Sequence, residues 1–176
     1  VELSFLNTLQ SFHTPLLDQL MLFLTTLGNG GMVWIALALV LLVIPKYRIY
    51  GLTMLVSLLI SIIFGNVLLK NIVARPRPNW IDPSVKLLIP NPTDYSFPSG
   101  HTFTSFAAAG SLFLYNKKSG TAALVLASLI GFSRMYLYVH YPSDVLAGAL
   151  FGLAAAAAAF YGVRYLTARY KKGSKQ

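Results

Sequence analysis

The sequence predicts an all-α fold, a polytopic membrane helix bundle of six transmembrane helices with a long outer loop between helices 3 and 4. Three observations predict it. Apolar residues make up 56% of the 176 residues and charged residues 11%, whereas soluble domains carry roughly 25% charged residues. The apolar residues gather in runs of helical length separated by short turns. Six of the nine prolines fall within residues 71–99, a stretch thereby unsuited to a continuous helix. The same balance argues against a soluble globular domain and against disorder, which needs low hydrophobicity.

Taken in order, residues 1–12 place Val1, Leu3, Phe5, Leu6, Leu9 and Phe12 at nearly helical spacing with polar residues between them, which predicts a short interfacial helix. Pro15 suits a first helical turn, and residues 15–27 form a short first crossing, polar at Asp18 and Gln19. Gly28-Asn29-Gly30-Gly31 is a turn. Residues 32–44 are uniformly apolar and stop at Pro45; Lys46, Tyr47 and Arg48 form a basic hinge. Residues 49–69 are the clearest span and end at Lys70. The first two runs are shorter than the usual minimum of about 17 residues. They cross with help from flanking residues or local thinning; the alternative is a four-span protein with a buried hairpin at its front. Residues 71–99 form the outer loop, with a short helix near 84–88. Residues 101–115 make a fourth helix rich in small side chains, 116–120 a tight basic turn, and 121–138 a fifth helix. Residues 143–163 make a sixth, whose Ala and Gly content suits close helix packing. The basic segment 164–176 is expected to fray. The whole chain, 1–176, reads as one domain.

Nine of the 14 cations then share one side: Lys46, Arg48, Lys117, Lys118, Arg164, Arg169, Lys171, Lys172 and Lys175. The positive-inside rule places that side, with both termini, in the cytoplasm. Lys70, Arg75, Arg77, Lys86 and Arg134 fall on the other side. The expected location is therefore the cell membrane, multi-pass, with the bilayer itself as partner. The N-terminus lacks the pattern of a signal peptide. A net charge of +9 would suggest nucleic acid in a soluble protein; here the membrane accounts for it, and no nucleic-acid partner is expected. Cysteine is absent, which removes disulfides, thiolate metal sites and cysteine nucleophiles. The five carboxylates, Glu2, Asp18, Asp82, Asp94 and Asp144, are scattered, so no metal and no cofactor is expected.

Because helix direction alternates, the ends of helices 3 and 5 and the starts of helices 4 and 6 lie on one face. That face gathers Lys70, Arg77, Ser99, Gly100, His101, Arg134, His140 and Asp144. Ionisable groups concentrated beside the membrane mark a functional site. Lys70, Arg77 and Arg134 suit a phosphate clamp, since guanidinium groups bind its oxygens two at a time. Ser99-Gly100-His101 at a helix start supplies bare N–H groups and the positive end of the dipole. His140 and Asp144 are four apart, so the carboxylate can hold one ring nitrogen as N–H and leave the other free to attack.

The spacing of these residues resembles a known signature. Lys70, six residues, then Arg77-Pro78; Pro98-Ser99-Gly100-His101; and Ser133-Arg134, five residues, His140, three residues, Asp144 are similar to the three motifs of the type 2 phosphatidic acid phosphatase (PAP2) superfamily. The resemblance runs from about residue 52 to 162. It implies that His140 is the nucleophile, Asp144 orients it, and His101 is the general acid. It implies equally that Lys70, Arg77, Ser99, the Gly100 N–H and Arg134 hold the phosphoryl oxygens. The reaction it implies is metal-independent hydrolysis of a lipid phosphomonoester or isoprenyl pyrophosphate through a phosphohistidine. The substrates it suggests are of the undecaprenyl pyrophosphate, phosphatidylglycerol phosphate or phosphatidic acid type. The competing class is a non-enzymatic lipid or anion carrier on the same scaffold, which would need the cations but no nucleophile. Oligomeric state stays open, because Ala147, Gly148 and Gly152 allow contact within one chain as easily as between chains.

Overall fold

The computed structural model describes residues 1–173. Its elements are α1 (Glu2–Gln10), α2 (Pro15–Gly28), α3 (Met32–Val43), α4 (Arg48–Ser61), α5 (Lys70–Val73), α6 (Pro78–Ile81), α7 (Gly100–Tyr115), α8 (Lys117–Tyr136) and α9 (Pro142–Gly173). A π-helical stretch, Ile62–Leu69, joins α4 to α5. Among the described residues there is no strand. Three stretches are long and apolar enough to cross a membrane: Pro15–Val43, Pro45–Ile81 and Pro142–Tyr170.

The bundle is packed as a membrane protein packs. Large apolar side chains point outward, among them Phe23, Val40, Leu59, Phe64, Val67 and Leu150. The interior holds small ones, with Ala107, Ala108, Ala109, Ala127 and Ala156 buried where helices meet. Lipid is as apolar as leucine, so close approach of small residues and interhelical hydrogen bonds hold such helices together. Trp34 Nε1 donates to Ser105 Oγ at 2.9 Å, and Ser57 Oγ donates to the Ala107 carbonyl at 3.1 Å. α7 is the central strut, packing along α8, α9 and α4.

The front of the chain departs from the expected six crossings. α1 and the start of α2 sit at the same end of the bundle as residues 137–141, not at the end reached by the C-terminal part of α9. Gln10 Nε2 donates to the Tyr136 carbonyl, His13 stacks on the Tyr136 ring, and Tyr136 Oη donates to Asp18 at 2.6 Å. Tyr138 Oη donates to Asn7 at 2.5 Å. From there α2 slants past Arg134 to Gly28, which lies beside His101 and Ile130. α3 then runs along α7 to the opposite end, where Gly51 meets Ala38 and Leu42. The Gly28–Gly31 turn therefore bends the chain without reversing it. Gly30 and Gly31 adopt φ of +59° and +67°, a backbone conformation that favours glycine. α2 and α3 make one bent passage, and the bundle has five passages among the described residues. The N-terminal helix and the C-terminal helix end lie at opposite ends, rather than together.

Smaller expectations also shift. The third span continues past Lys70 for one turn, to Val73. No helix forms at 84–88; the loop's helical turn is α6, where Pro78 occupies a first-turn position and Trp80 Nε1 donates to the Pro92 carbonyl. The basic turn shrinks to Asn116, whose side chain caps α8 by accepting from Ser119 N. α9 continues as helix through Gly173 instead of fraying from 164, because no proline or glycine interrupts it between Gly162 and Gly173. The remainder of that tail, including Lys175, lies outside the described residues.

Candidate active site

The π-helical stretch sets one wall of the site. Its wider turn brings Asn66 against the start of α7, where a Cβ on Gly100 would meet Asn66 Oδ1 at 2.9 Å and displace that side chain. Such windings recur at functional sites. Lys70 follows directly, buried. α7 brings Gly100 and His101, the end of α8 brings Arg134, and the α8–α9 connection brings His140. These residues and Arg77 line one cavity of about 420 Å³, together with Asn66 and Asp94. A neighbouring polar cavity of about 510 Å³ shares Asp94, His101 and Arg134 and extends to Thr25, Asn29 and Asn91.

His140 is 1% exposed. Its Nε2 stands 3.2 Å from Arg77 Nη1. A guanidinium only donates, so Nε2 carries the lone pair and Nδ1 the proton. Nδ1 faces Asp144 Oδ2 at 3.5 Å and Ser96 Oγ at 3.4 Å. Burial pushes the imidazole well below its usual range, and the charges of Arg77, Arg134 and Lys70 push it the same way. His140 is thus a neutral base whose unprotonated nitrogen accepts from Arg77 and points toward the cations.

Asp144 is fully buried and held on every side. It accepts from Tyr141 N at 2.9 Å, from Ser96 Oγ, and from Arg75 Nη1 at 2.7 Å. Arg75 also binds Glu2 at 2.6 Å and lies 3.8 Å over the Tyr141 ring. Glu2 in turn accepts from Ser143 N. α1 is therefore tied to the start of α9 through Glu2 and Arg75. Besides His140 Nε2, Arg77 donates to the Asp94 carbonyl (2.6 Å), Asp94 Oδ1 (2.7 Å) and the Val139 carbonyl (2.7 Å). Lys70 Nζ donates to Asp94 Oδ2. Arg134 Nη1 donates to Thr25 Oγ1 at 2.5 Å, and its buried Nε has no hydrogen-bond partner among the described residues. His101 Nε2 lies 2.9 Å from Asn29 Oδ1, so the glycine-rich turn orients that ring.

The structure brings Lys70, Arg77, Gly100, His101, Arg134 and His140 around one cavity, with Asp144 directly behind His140. Ser99 is the exception. It is fully buried, does not line the cavity, accepts from Thr102 Oγ1 at 2.9 Å, and donates its N–H to the Asp144 carbonyl at 3.1 Å. Thr25, Asn29 and Ser96 also belong to the site without a signal in the sequence, and Arg75 and Asp94, which lie outside the three motifs, join it as well. Only Arg75 and Asp94 carried a signal, as charged residues in the proline-rich loop.

An all-helical, multi-pass membrane protein with a cation- and histidine-lined pocket at one end of its bundle is the class that this fold and site define. The chain belongs to the PAP2 superfamily, whose model matches residues 46–168. It is 40% identical over 138 residues to an undecaprenyl-diphosphatase of Sulfolobus acidocaldarius, covering 77% of this chain and 66% of that protein. It thus spans slightly under two thirds of that relative's length. Two solved structures share the fold. One is the crystal structure of Aquifex aeolicus LpxE, with a TM-score of 0.78 and 27% identity over 91% of this chain and 94% of that one. The other is a transmembrane PAP2-type phosphatidylglycerolphosphate phosphatase from Bacillus subtilis, with a TM-score of 0.75 and 26% identity over 96% and 85%.

Proposed function

We propose that this protein is an integral membrane lipid phosphatase. It removes the terminal phosphate from a lipid phosphomonoester or isoprenyl pyrophosphate, of the undecaprenyl pyrophosphate, phosphatidylglycerol phosphate or phosphatidic acid type. The observation that carries the reading is the aim of His140 Nε2, the unprotonated ring nitrogen, which accepts from Arg77 at the cavity of Lys70, Arg77 and Arg134 with Asp144 behind Nδ1. The names of the relatives support the substrate class.

In this reading His140 Nε2 attacks the terminal phosphorus, and the bond from phosphorus to the leaving lipid oxygen breaks. His101 gives that oxygen a proton. Lys70, Arg77, Arg134 and the Gly100 N–H stabilise the charge on the phosphoryl oxygens, while Asp144 balances the imidazolium that forms. Water then attacks the phosphohistidine, His101 takes its proton, and phosphate leaves. Ser99 serves this set by anchoring the start of α7 to α9. Metal-independence fits the donors, because Asp94 and Asp144 are each bound by cationic side chains rather than set out as ligands. The site faces outward from the cell membrane, since Lys46, Arg48, Lys117, Lys118, Arg164 and Arg169 belong to the opposite end. With five crossings, α1 lies on the outer surface beside the site.

The test is phosphate release by the detergent-solubilised protein and its His140→Ala variant, on long-chain lipid phosphates and pyrophosphates and on a soluble monoester, with and without EDTA. The wild type should prefer the lipids and ignore EDTA; His140→Ala should fold and release nothing. Sizeable turnover by the variant removes His140 as nucleophile. A preference for the soluble ester overturns the lipid assignment, and magnesium-reversed loss in EDTA overturns the metal-free reading.

A further inference from the structure

Lys70 and Arg77 are 5% and 2% exposed, and one carboxylate binds both. Asp94 accepts from Lys70 Nζ on one oxygen and from Arg77 Nη2 on the other, and its carbonyl accepts from Arg77 Nε. The Asp94 side chain itself is 56% exposed and stands on the loop between α6 and α7. Rotation about its own side-chain bonds would withdraw the carboxylate while the main-chain bond to Arg77 stays. Burial pushes its carboxyl up, but the Lys70 hydrogen bond and the Arg77 charge outweigh that and hold it at about 2. It is ionised at any ordinary pH. Asp94 lines both polar cavities, so it stands where they meet.

We propose that Asp94 is a specificity-determining residue: an internal anion that occupies two of the phosphate-binding cations and yields only to a ligand of higher charge, admitting phosphomonoesters and diphosphates and turning away phosphodiesters. This rests on the lipid phosphatase reading. Asp94 carries one negative charge and is tethered at the site, so its effective concentration there is high. A phosphodiester headgroup, abundant in any bilayer, also carries one charge; replacing Asp94 with it gains no Coulomb attraction. A terminal phosphate carries about 1.5 to 2 charges near neutral pH, and a diphosphate more. Against three clustered cations in a poorly solvated pocket, the added charge decides the exchange. The same contact keeps two neighbouring buried cations compensated, which a bare pair would not be. Selection here comes from an obstacle built against the wrong ligand.

Asp94→Asn keeps the size and removes the charge. The experiment measures binding of inorganic phosphate and of dimethyl phosphate, a soluble monoanion, to the solubilised wild type and to this variant by calorimetry. A contact closed about 90% of the time weakens apparent affinity about tenfold. Asp94→Asn should therefore bind phosphate about tenfold more tightly and dimethyl phosphate by a like factor, because the closed contact taxes every anion equally and only the more highly charged one overcomes it in the wild type. Unchanged or weaker binding of both anions overturns the proposal and makes Asp94 a support for the cations. The wild type provides a second arm that needs no variant: it should prefer phosphate to dimethyl phosphate by a wide margin, and equal affinity overturns the filter. Turnover enters neither arm. A protein that showed these binding differences but hydrolysed no lipid phosphate would uphold the filter and sink the phosphatase.

Discussion

Arg75→Gln should destabilise the protein and shift its acid limb, although Arg75 touches no cavity residue's reacting atom. Asp144 has 0% side-chain exposure and loses its Arg75 guanidinium partner in this variant. Breaking a buried ion pair from one side costs about 3–5 kcal/mol. Two features reduce that here. Ser96 Oγ and Tyr141 N still donate to Asp144, and the Arg75 side chain is 26% exposed, so water can replace part of it. Loss of the stacking on Tyr141 adds about 0.5–1 kcal/mol. The net expectation is about 2–3 kcal/mol, or roughly 4–12 °C in Tm for a chain of this size. The chemistry should move as well. With Arg75 gone, the Asp144 charge is less compensated and favours a protonated His140, so the acid limb of kcat/KM should move to higher pH. Thermal unfolding in detergent, followed by tryptophan fluorescence from Trp34 and Trp80, measures the first effect, and a pH–rate profile the second. An unchanged Tm would refute the burial arithmetic. An unchanged acid limb would refute the claim that Arg75 acts on His140 through Asp144. Arg75→Lys should restore charge but not the fork that spans Asp144, Ser143 and Glu2.

His140 also makes stability depend on pH. Its imidazole is held neutral in the fold, whereas in the unfolded chain it protonates near pH 6.5, at about its ordinary value. Below that pH the unfolded state binds the extra proton, so this contribution is complete above about pH 6.5 and is lost as pH falls toward the depressed folded value. His140→Gln should flatten the slope of Tm between about pH 6.5 and 5, and an unaltered slope would assign that dependence elsewhere. Topology is checked by single cysteines at Ser4, Ser84 and Ser119, all exposed, treated with an impermeant thiol reagent on intact cells. Ser4 and Ser84 positions should react and Ser119 should not; protection at Ser4 with reaction at Ser84 would restore an even number of crossings.

Much of the site was legible in the chain because its residues sit at helix ends. Alternating helix direction alone carries Lys70, His101, Arg134 and His140 to one face, and their spacing to Arg77 and Asp144 is local. Composition was enough to choose lipid as the solvent, since 11% charged residues cannot clothe a soluble surface. What the chain could not declare are contacts between residues far apart. Asp94 meets Lys70 across 24 positions, Thr25 meets Arg134 across 109, and Glu2 meets Ser143 across 141. No periodicity relates such pairs, and each depends on how a loop or an end helix packs over the bundle. The passage count belongs to the same class. Hydropathy marks α2 and α3 as two short apolar runs around a glycine turn, and it is blind to whether that turn reverses the chain. The answer lies in the positive φ of Gly30 and Gly31 and in α2 finding Tyr136 and Arg134 at the site end of α8, where Asp18 and Thr25 give those polar groups partners that lipid could not supply.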